Sequence, residues 1–382
     1  MKFEELSQVS SYVSERIRID EVNLDNYVST ENMISERGGV TKATKLPSGK
    51  TISVFQKGDI LISNIRPYFK KIWLADKSGG CSNDVLVVRA NEKISNRFLY
   101  YVLSSDNFFD YAVGTSKGTK MPRGDKKAIM KYKVPIYSLV EQEKIAEVLR
   151  AFDKKIILNK QINHHLEQIA QAIFKSWFVD FEPFGGKMPN DWTIGKLSDV
   201  LKLIKNGIND KDKQKLPYVP IDILPMHSLS LNSYKSNDEA KSSLITFKKN
   251  DILLGAMRVY FHRVCISPFT GITRSTCFVL RPFNKIYLEY CLLTCNLKSS
   301  IEYAQSTSKG STMPYAVWEN GLAELKIPIP TEKVIKNFSK IVSPLIKTLQ
   351  DSIYEIENLQ NLRDTLLPKL LSGEISVNQA TK

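Results

Sequence analysis

Apolar residues recur at spacings of three and four along two long stretches of the chain. In the first stretch they are Ile145, Leu149, Phe152 and Ile156, and after a gap of six positions the spacing resumes with Ile162, Leu166, Ile169, Ile173 and Trp177. In the second, after Pro330, they are Phe338, Val342, Leu345, Leu349, Ile353, Ile356, Leu359, Leu362 and Leu366. This spacing predicts two long amphipathic helices. A helix from Ile145 to Trp177 would be about 50 Å long.

Each apolar stripe needs a protein partner, because such a surface does not stay in water. The two stretches occupy equivalent places along the chain, so we expect the helices to pack antiparallel as a coiled coil, with a domain at each end. Asn159 and Asn163 interrupt the first stripe, and they either fix the register or mark a solvated break. Pro344 either kinks the second helix or marks its start.

Short runs typical of β-strands, separated by turn residues, precede each helix. The runs are Thr51 to Val54, Ile60 to Ser63, Lys71 to Leu74 and Asp84 to Arg89, then Ile252 to Leu254, Arg263 to Ile266 and Thr276 to Arg281. Helical stretches follow around Asn96 to Val113 and Lys285 to Ala304. Short, interrupted strands favour an antiparallel or mixed sheet, so the fold class that we predict is α+β.

Two copies of one unit fill the chain, at an offset of 191 to 193 residues. The segment FQKGDIL, residues 55–61, returns as FKKNDIL, residues 247–253, and the octet TSKGTKMP, residues 115–122, returns as TSKGSTMP, residues 307–314. This internal repeat predicts two similar α+β domains with pseudo-twofold symmetry, separated by the two long helices. The predicted boundaries are 1–136 and 185–330 for the domains, and 137–184 and 331–382 for the helical regions.

The net charge of +14 is concentrated in the two predicted domains. Residues 1–136 hold 22 Lys and Arg against 15 Asp and Glu, and residues 185–330 hold 19 against 12. The helical regions are nearly neutral, with 6 against 7 in residues 137–184 and 7 against 6 in residues 331–382. Two basic modules on one chain indicate binding of a long polyanion at two points, for which DNA or RNA is the usual choice.

Few of the cysteines and histidines are spaced like metal ligands. The five cysteines include no CxxC pair, and only His262 lies near one of them, Cys265. Buried free thiols are therefore expected, and no zinc site. The polar N-terminus and the lack of a long apolar run favour a cytoplasmic protein without a membrane span.

The order of basic α+β unit and long helix, present twice, resembles the specificity subunit of Type I restriction-modification systems. The similarity covers the whole chain and is carried by Tyr27–Asn32, Lys57–Leu61, Gly118–Pro122, Val134–Ile136, Glu141–Ile145, Phe174–Phe181 and Leu366–Ile375. The resemblance implies two target recognition domains, each of which reads one half of a bipartite, asymmetric site in double-stranded DNA. It also implies that the helices set the spacer between the half-sites.

The same resemblance implies partners. Two methyltransferase (modification) subunits would dock on the helical regions, and restriction/translocase subunits would complete the complex. S-adenosylmethionine, ATP and Mg are then expected in the partner subunits only, and this chain is expected to be non-catalytic and to need no cofactor. The aromatic end of the first helix is either ordinary end packing or a docking face for these partners; its residues are Phe174, Trp177, Phe178 and Phe181.

Candidate DNA-binding residues come from two repeated segments. Arg66 and Tyr68 recur as Arg258 and Tyr260, and arginine can bind guanine or phosphate while tyrosine packs on sugar or base. The alternative is that these residues only brace the domain. Residues that both copies share should serve a common task such as phosphate binding, whereas residues that differ should read the bases.

The octets supply the other candidates. Lys117 and Lys309 are shared and could bind phosphate, with the following glycines presenting backbone amides. Lys120 is replaced by Thr312 at the equivalent position of the second copy, and Arg123 by Tyr315. Such differences are expected of residues that read bases. The Met-Pro pairs that end the octets look like packing residues. Lys42, Lys45 and Lys50 also have no simple partners among residues 209–215, and a solvated basic loop is the alternative for all of these segments.

Two other classes of protein stay open at this point. A self-contained nuclease or methyltransferase would need a catalytic motif, and the chain has no GxxxxGK[ST] loop, no GxGxxG after a strand and no Asn-Pro-Pro-Tyr or Asp-Pro-Pro-Tyr tetrapeptide. Glu324 with Asp251 would be the nearest approach to a magnesium site. A basic scaffold that binds DNA without sequence preference is the other alternative.

Overall fold

The computed structural model describes residues 2–209, 215–231, 233–240 and 243–380. They form two compact units, one comprising Met1–Lys155 with Leu359–Lys382 and the other Ile156–Asn358. We call these unit 1 and unit 2. Unit 1 contains the first α+β domain and unit 2 the second. None of the helices in the described residues is long and apolar enough to cross a membrane.

The first domain is built from short strands and short helices. Its strands are β1 (Lys2–Glu5), β2 (Ser10–Tyr12), β3 (Arg16–Arg18), β4 (Tyr27–Val28), β5 (Thr51–Phe55), β6 (Ile60–Ser63), β7 (Ile72–Leu74), β8 (Gly79–Cys81), β9 (Val85–Ala90) and β10 (Lys133–Ile136). Its helices are α1 (Leu6–Val9), α2 (Asn96–Ser104), α3 (Asp106–Gly114) and α4 (Lys126–Ile129). The strands form sheets in the orders β2-β9-β6-β7, β3-β5-β8-β4 and β1-β10.

The second domain repeats this plan. Its strands are β11 (Thr193–Lys196), β12 (Leu201–Ile204), β13 (Leu244–Phe247), β14 (Ile252–Gly255), β15 (Val264–Ile266), β16 (Gly271–Arg274), β17 (Cys277–Pro282) and β18 (Lys326–Ile329). Its helices are α6 (Leu288–Asn296) and α7 (Lys298–Ser306). The sheet orders β12-β17-β14-β15 and β11-β18 match those of the first domain, while β13 pairs only with β16 in the described residues. The predicted α+β class and its internal repeat are confirmed.

Each predicted helical stretch inside the domains is broken in two. Ser105 ends α2 and caps α3 by accepting a hydrogen bond from the Phe108 backbone N–H at 3.3 Å. Leu297 holds an extended backbone between α6 and α7 at the equivalent place. The sequence analysis predicts one helical stretch at each place, so these breaks were not predicted.

The two long helices are α5 (Leu139–Phe178) and α8 (Glu332–Ser372). Helix α8 begins before Pro344 and continues through it, so this proline does not mark the start of the helix. In unit 1 the Arg363 guanidinium lies 2.7 Å from the Asp153 carboxylate, and Ile145 and Leu149 share a core with Leu367 and Leu370. The start of α5 therefore packs against the end of α8.

In unit 2 the opposite ends of the helices pack together. Asn159 donates a hydrogen bond to Glu355 at 2.9 Å, and Ser352 donates one to Asn163 at 2.6 Å. Both asparagines are buried, so they are polar contacts inside the seam and not a solvated break. Within each unit the residue numbers of the two helices run in opposite directions, which confirms the predicted antiparallel pairing.

Three positions assigned to the apolar stripes lie outside the packed seam. Ile162, Ile169 and Leu362 are about half exposed. The true seam contains Asn163 in place of Ile162, because an apolar count along the sequence passes over polar residues that pack through hydrogen bonds.

Candidate nucleic-acid interface

The candidate arginines begin a tight turn that is the same in both domains. Arg66 precedes a 3-10 turn at Pro67–Phe69, and Arg258 precedes one at Val259–Phe261. Both arginines have a left-handed backbone with φ of 50°. Such a backbone is uncommon for a residue with a Cβ atom, so it indicates a turn held by its surroundings.

The octets form closed loops. In the first domain, the backbones of Lys117 and Arg123 exchange two N–H to O=C hydrogen bonds of 2.9 Å. Lys309 and Tyr315 do the same in the second domain, also at 2.9 Å. The residue after each lysine is a glycine with positive φ, 95° at Gly118 and 89° at Gly310, a conformation that glycine adopts without the steric cost of a Cβ atom.

The arginine turn and the octet loop lie side by side in each domain. The Arg66 backbone N–H donates to the Pro122 carbonyl at 2.8 Å, and the Arg258 N–H donates to Pro314 at the same distance. We call the result the paired-loop surface; it consists of residues 66–68 with 117–123 in the first domain, and 258–260 with 309–315 in the second. The structure thus brings together the ten candidate DNA-binding residues as two sets of five: Arg66, Tyr68, Lys117, Lys120 and Arg123, and Arg258, Tyr260, Lys309, Thr312 and Tyr315.

The exposed side chains of the surface combine charge with aromatic and apolar groups. Tyr68 and Tyr260 are 45% and 44% exposed. Met121 and Met313 are each 50% exposed, so the expectation that the methionines are packing residues is wrong. Both methionines lie within the closed octet loops, between the residues whose backbones are paired, and half of each side chain is exposed there. Cationic, aromatic and flexible apolar side chains together suit contact with sugars, phosphates and base edges.

One polar atom of the first arginine turn has no partner. The Arg66 Nε is buried and has no hydrogen-bond partner among the described residues. An unsatisfied buried donor is costly, so this turn is held at some cost in stability.

Two cations of the first paired-loop surface are ion-paired within the protein. The Lys117 ammonium lies 2.8 Å from the Asp125 carboxylate, and the Arg123 guanidinium lies 3.0 Å from the Asp84 carboxylate. The hydrogen bond from Lys117, with the backbone amides of the α4 N-terminus, lowers the pKa of Asp125 to about 2. Neither acid was among the candidate residues predicted from the sequence, although the repeat, at its offset of 192 residues, assigns each of them a counterpart in the second copy.

The second domain has neither of these ion pairs. At the same offset, Val317 stands in place of Asp125 and Thr276 in place of Asp84. Lys309 has no carboxylate within 4 Å among the described residues. The two surfaces therefore share one backbone and differ in how their side chains are paired.

Another repeated ion pair holds each domain together. Arg89 donates two hydrogen bonds of 2.8 Å to the two carboxylate oxygens of Asp59, and Arg281 donates bonds of 2.6 and 2.7 Å to Asp251. Both aspartates are buried. The geometry is bidentate and identical in the two copies, as expected of a structural contact.

The possible magnesium site between Glu324 and Asp251 is not formed. Asp251 is engaged by Arg281, and Glu324 lies 2.6 Å from the Lys196 ammonium. The described part of the chain also holds no group of three or more His, Cys, Asp or Glu residues that could bind a metal ion. All five cysteines are buried free thiols, as expected.

Different cavities adjoin the two surfaces. In unit 1 a cavity of about 320 Å³ is lined by polar residues that include Glu31, Lys42, Lys45 and Asp84. The segment in which Lys42, Lys45 and Lys50 have no simple partners is 209–215, and its residues 210–214 lie outside the described residues. In unit 2 a cavity of about 740 Å³ is lined by Lys309, Tyr315, Trp318 and Phe278, among others. The regions next to the shared framework therefore differ between the two copies.

The aromatic end of α5 lies in the core of unit 2. Phe174 and Phe178 are buried, and Phe178 packs against Phe338 with ring centroids 4.8 Å apart. Trp177 and Phe181 are partly buried against the same core. End packing accounts for all four side chains, and their role in docking a partner stays a prediction.

Together, the fold and the repeated surface define an internally duplicated α+β protein with two basic, loop-built contact surfaces. The family model for the Type I restriction modification DNA specificity domain matches residues 20–168 and again 189–358. The chain belongs to this family. The match occurs twice, once for each half of the repeat.

Individual proteins agree with this assignment. The MjaIX specificity subunit of a Type I restriction enzyme from Methanocaldococcus jannaschii is 28% identical and aligns over 94% of this chain and 86% of its own length. The HindI specificity subunit from Haemophilus influenzae is 25% identical over 97% of this chain and 98% of its own. The crystal structure of the Type I restriction-modification S subunit from M. genitalium has the same fold, with a TM-score of 0.60 and 16% identity over 97% of this chain and 95% of that chain.

Proposed function

We propose that this chain is the DNA-recognition subunit of a Type I restriction-modification complex. Each α+β domain reads one half of a bipartite site in double-stranded DNA through its paired-loop surface. The helices α5 and α8 set the spacer between the half-sites. The proposed domain boundaries are those predicted from the sequence, with residues 1–136 and 185–330 as the two reading domains.

The observation that carries the proposal is the repetition of one loop framework with different exposed side chains. The Arg66–Pro122 and Arg258–Pro314 hydrogen bonds have the same length, and the octets close in the same way. A shared framework provides the same placement on the DNA backbone, whereas changes such as Arg123 to Tyr315 alter the groups offered to the bases. Two surfaces of this kind suit a site with two unlike halves.

The helical regions are the proposed docking sites of two methyltransferase subunits, and the complete complex includes restriction/translocase subunits. Phe174 and Phe178 would act there by holding the end of α5 in place, because they are buried. Trp177 and Phe181, which are partly buried, offer the remaining aromatic surface. A crosslinker placed at Trp177 should capture a methyltransferase subunit if this assignment is right.

The proposed chain is non-catalytic, and the cofactors S-adenosylmethionine, ATP and Mg belong to its partners. Asp251 and Glu324, which could have approached a metal site, are both ion-paired. The purified chain should therefore neither methylate nor cut DNA when all three cofactors are supplied. Turnover by a preparation free of partner subunits, lost in Glu324→Ala, would support the enzyme alternative instead.

A domain replacement tests the proposal as a whole. Residues 1–136 are exchanged for the equivalent domain of a relative, and methylation by the assembled complex is mapped on genomic DNA. We expect one half-site to change and the other half-site to stay the same. Loss of both halves would contradict independent reading, and a wild-type complex that returned no motif would identify a non-specific DNA-binding scaffold.

A further inference from the structure

Two acids, Asp84 and Asp125, are ion-paired with cations of the first paired-loop surface. Lys117 and Arg123 lie directly opposite each other in the backbone pair that closes the octet loop. Side chains at directly opposed positions project to the same side, and like charges there repel each other. Each cation has its own carboxylate partner, Asp125 for Lys117 and Asp84 for Arg123.

The second surface shows the alternative arrangement. Its directly opposed residues are Lys309 and Tyr315, so this pair contains a single cation. Thr276 and Val317 occupy the positions of the two acids. Three positions have therefore changed together between the copies: the second cation is present where the acids are present, and absent where they are absent.

The charges at the equivalent positions lead to the same total. With its two acids included, the first surface has Arg66, Lys117, Lys120 and Arg123 against Asp84 and Asp125, a net charge of +2. The second has Arg258 and Lys309 and no acid at the equivalent positions, where Thr276 and Val317 stand, so its net charge is also +2. Attraction to the DNA backbone depends on this net charge and carries no sequence information. The first surface thus offers four cationic side chains, although its net charge is the same as that of the second surface, which offers two.

Both paired cations remain accessible to a ligand. The Lys117 side chain is 82% exposed and that of Arg123 is 58% exposed, whereas Asp125 and Asp84 are 24% and 35% exposed. Exposed ion pairs are weak, so a DNA group with better geometry can replace the carboxylate. A guanine edge, which accepts two hydrogen bonds from arginine, is such a group, whereas an ill-fitting base leaves the pair in place.

We propose that Asp84 and Asp125 are specificity-determining residues of the first domain, which hold Arg123 and Lys117 ion-paired on DNA without the target and release them where target groups replace the carboxylates. This inference rests on the proposed function, since it assumes that the paired-loop surface contacts DNA. In the second domain Tyr315 makes its contact without such a competitor.

The test removes the charge and retains the shape. In Asp84→Asn/Asp125→Asn the side chains keep their size, and asparagine at 125 still caps α4. The full-length variant is titrated by fluorescence anisotropy against a 30-base-pair duplex of random sequence at several salt concentrations. Two freed cations should steepen the salt slope by about 1.8 units and tighten binding by about ten-fold at low salt.

A matched control separates local release from a change in overall charge. Glu92→Gln/Glu147→Gln makes the same change of +2 at exposed positions of unit 1. Asp84 comes just before β9 and Glu92 comes just after its other end. An extended strand of this length places the two residues about 25 Å apart. At about 0.1 M salt its effect on the octet loop is screened, so the control should bind the random duplex within about two-fold of the wild type.

A reciprocal variant tests the same idea in the second domain. Val317→Asp places a carboxylate at the position equivalent to Asp125, and residue 317 lines the same cavity as Lys309. It should weaken binding to the random duplex and lower the salt slope by about 0.9 units. This variant keeps the proposal testable if the double asparagine variant is poorly folded.

Selection of bound duplexes from a random pool provides the second readout. Asp84→Asn/Asp125→Asn should blur the half-site read by the first domain and leave the other half-site as in the wild type. The inference would be overturned, and the proposed function kept, if this variant bound the random duplex no more tightly than the glutamine control and selected an unchanged half-site. A wild-type chain that bound no duplex would instead overturn the proposed function.

Discussion

The two paired-loop surfaces have the same backbone and different side-chain pairing. The octets close through 2.9 Å hydrogen bonds in both domains, and the arginine turns have the same left-handed φ of 50°. Yet Lys117 and Arg123 are ion-paired in the first domain, while Lys309 has no such partner among the described residues. Under the proposed function, the shared backbone would place each domain on DNA, and the pairing of the side chains would set the selectivity of each copy.

The helices show a similar contrast. In unit 1 an ion pair joins Asp153 of α5 to Arg363 of α8, and in unit 2 buried asparagines and a serine join the same two helices. The second arrangement has stricter geometry, because a buried polar group must keep its partner. This difference predicts where the helices tolerate a change in length.

The largest expected effect comes from an insertion in one helix. Four residues added to α5 after Asn159 would shift Asn163 by a full turn against Ser352, and would move Phe174 and Phe178 relative to their core. We expect a loss of more than about 4 kcal/mol in the free energy of unfolding, because several buried contacts break at once. Urea unfolding followed by circular dichroism measures this loss.

A compensated insertion is the control for this prediction. Four residues added to α5 after Asn159 and four to α8 before Glu355 should restore the packing and lengthen only the spacer between half-sites. Equal stability of the single and double insertions would show that the polar contacts do not fix the register.

The next largest effect should be the same in both domains. Asp59→Ala leaves Arg89 without its bidentate partner, and Asp251→Ala does the same to Arg281. Removal of one partner of a buried ion pair costs about 3–5 kcal/mol. Amide hydrogen exchange, read separately for unit 1 and unit 2, should show each loss in its own unit.

A partly exposed acid provides the comparison for that experiment. Asp84→Ala also removes an ion pair, but in a more exposed position, and should cost less than about 1 kcal/mol. If Asp59→Ala were as mild as Asp84→Ala, the shared pair would not be the structural element that its burial indicates.

A smaller effect should distinguish the two domains on their target. Arg123→Ala should cost about 1–3 kcal/mol on the cognate duplex and little on a scrambled one, because a base contact is lost. Tyr315→Ala should act on the other half-site. Titrations with duplexes mutated in one half-site at a time assign each residue. Equal losses on cognate and scrambled DNA would refute the assignment of Arg123 as a base reader.

The smallest effects concern the shared lysines. Lys309→Ala should lower the salt slope by about one unit on cognate and non-specific duplexes alike. Lys117→Ala should lower the slope on non-specific DNA by less, because Asp125 already neutralises this lysine. The depressed pKa of Asp125, about 2, means that the ion pair is lost only as the pH falls through that value, so the contrast should not change from about pH 5 to pH 8. A larger effect at Lys117 than at Lys309 would contradict the pairing.

Repetition and periodicity were sufficient for the architecture. The helix α5 was predicted from its apolar spacing, and strands such as β6 (Ile60–Ser63) were predicted at their observed positions. Both elements depend on local patterns of residue type and spacing, which can be recognised in the sequence alone. The offset between the copies also grouped the candidate residues, since a position that recurs, such as Arg66, belongs to a common framework.

Contacts between distant segments could not be predicted in this way. Ile162 and Asn163 are neighbours in sequence, and only packing against α8 decides that the polar residue is inside and the apolar one outside. The ion pair of Arg123 with Asp84 joins residues 39 positions apart, and no local pattern indicates it. The sequence by itself determined the repeat, the helices and the basic charge of each domain. Tertiary structure decided which of the candidate cations are ion-paired within the protein, because the energy of a charge depends on what lies within a few ångströms of it.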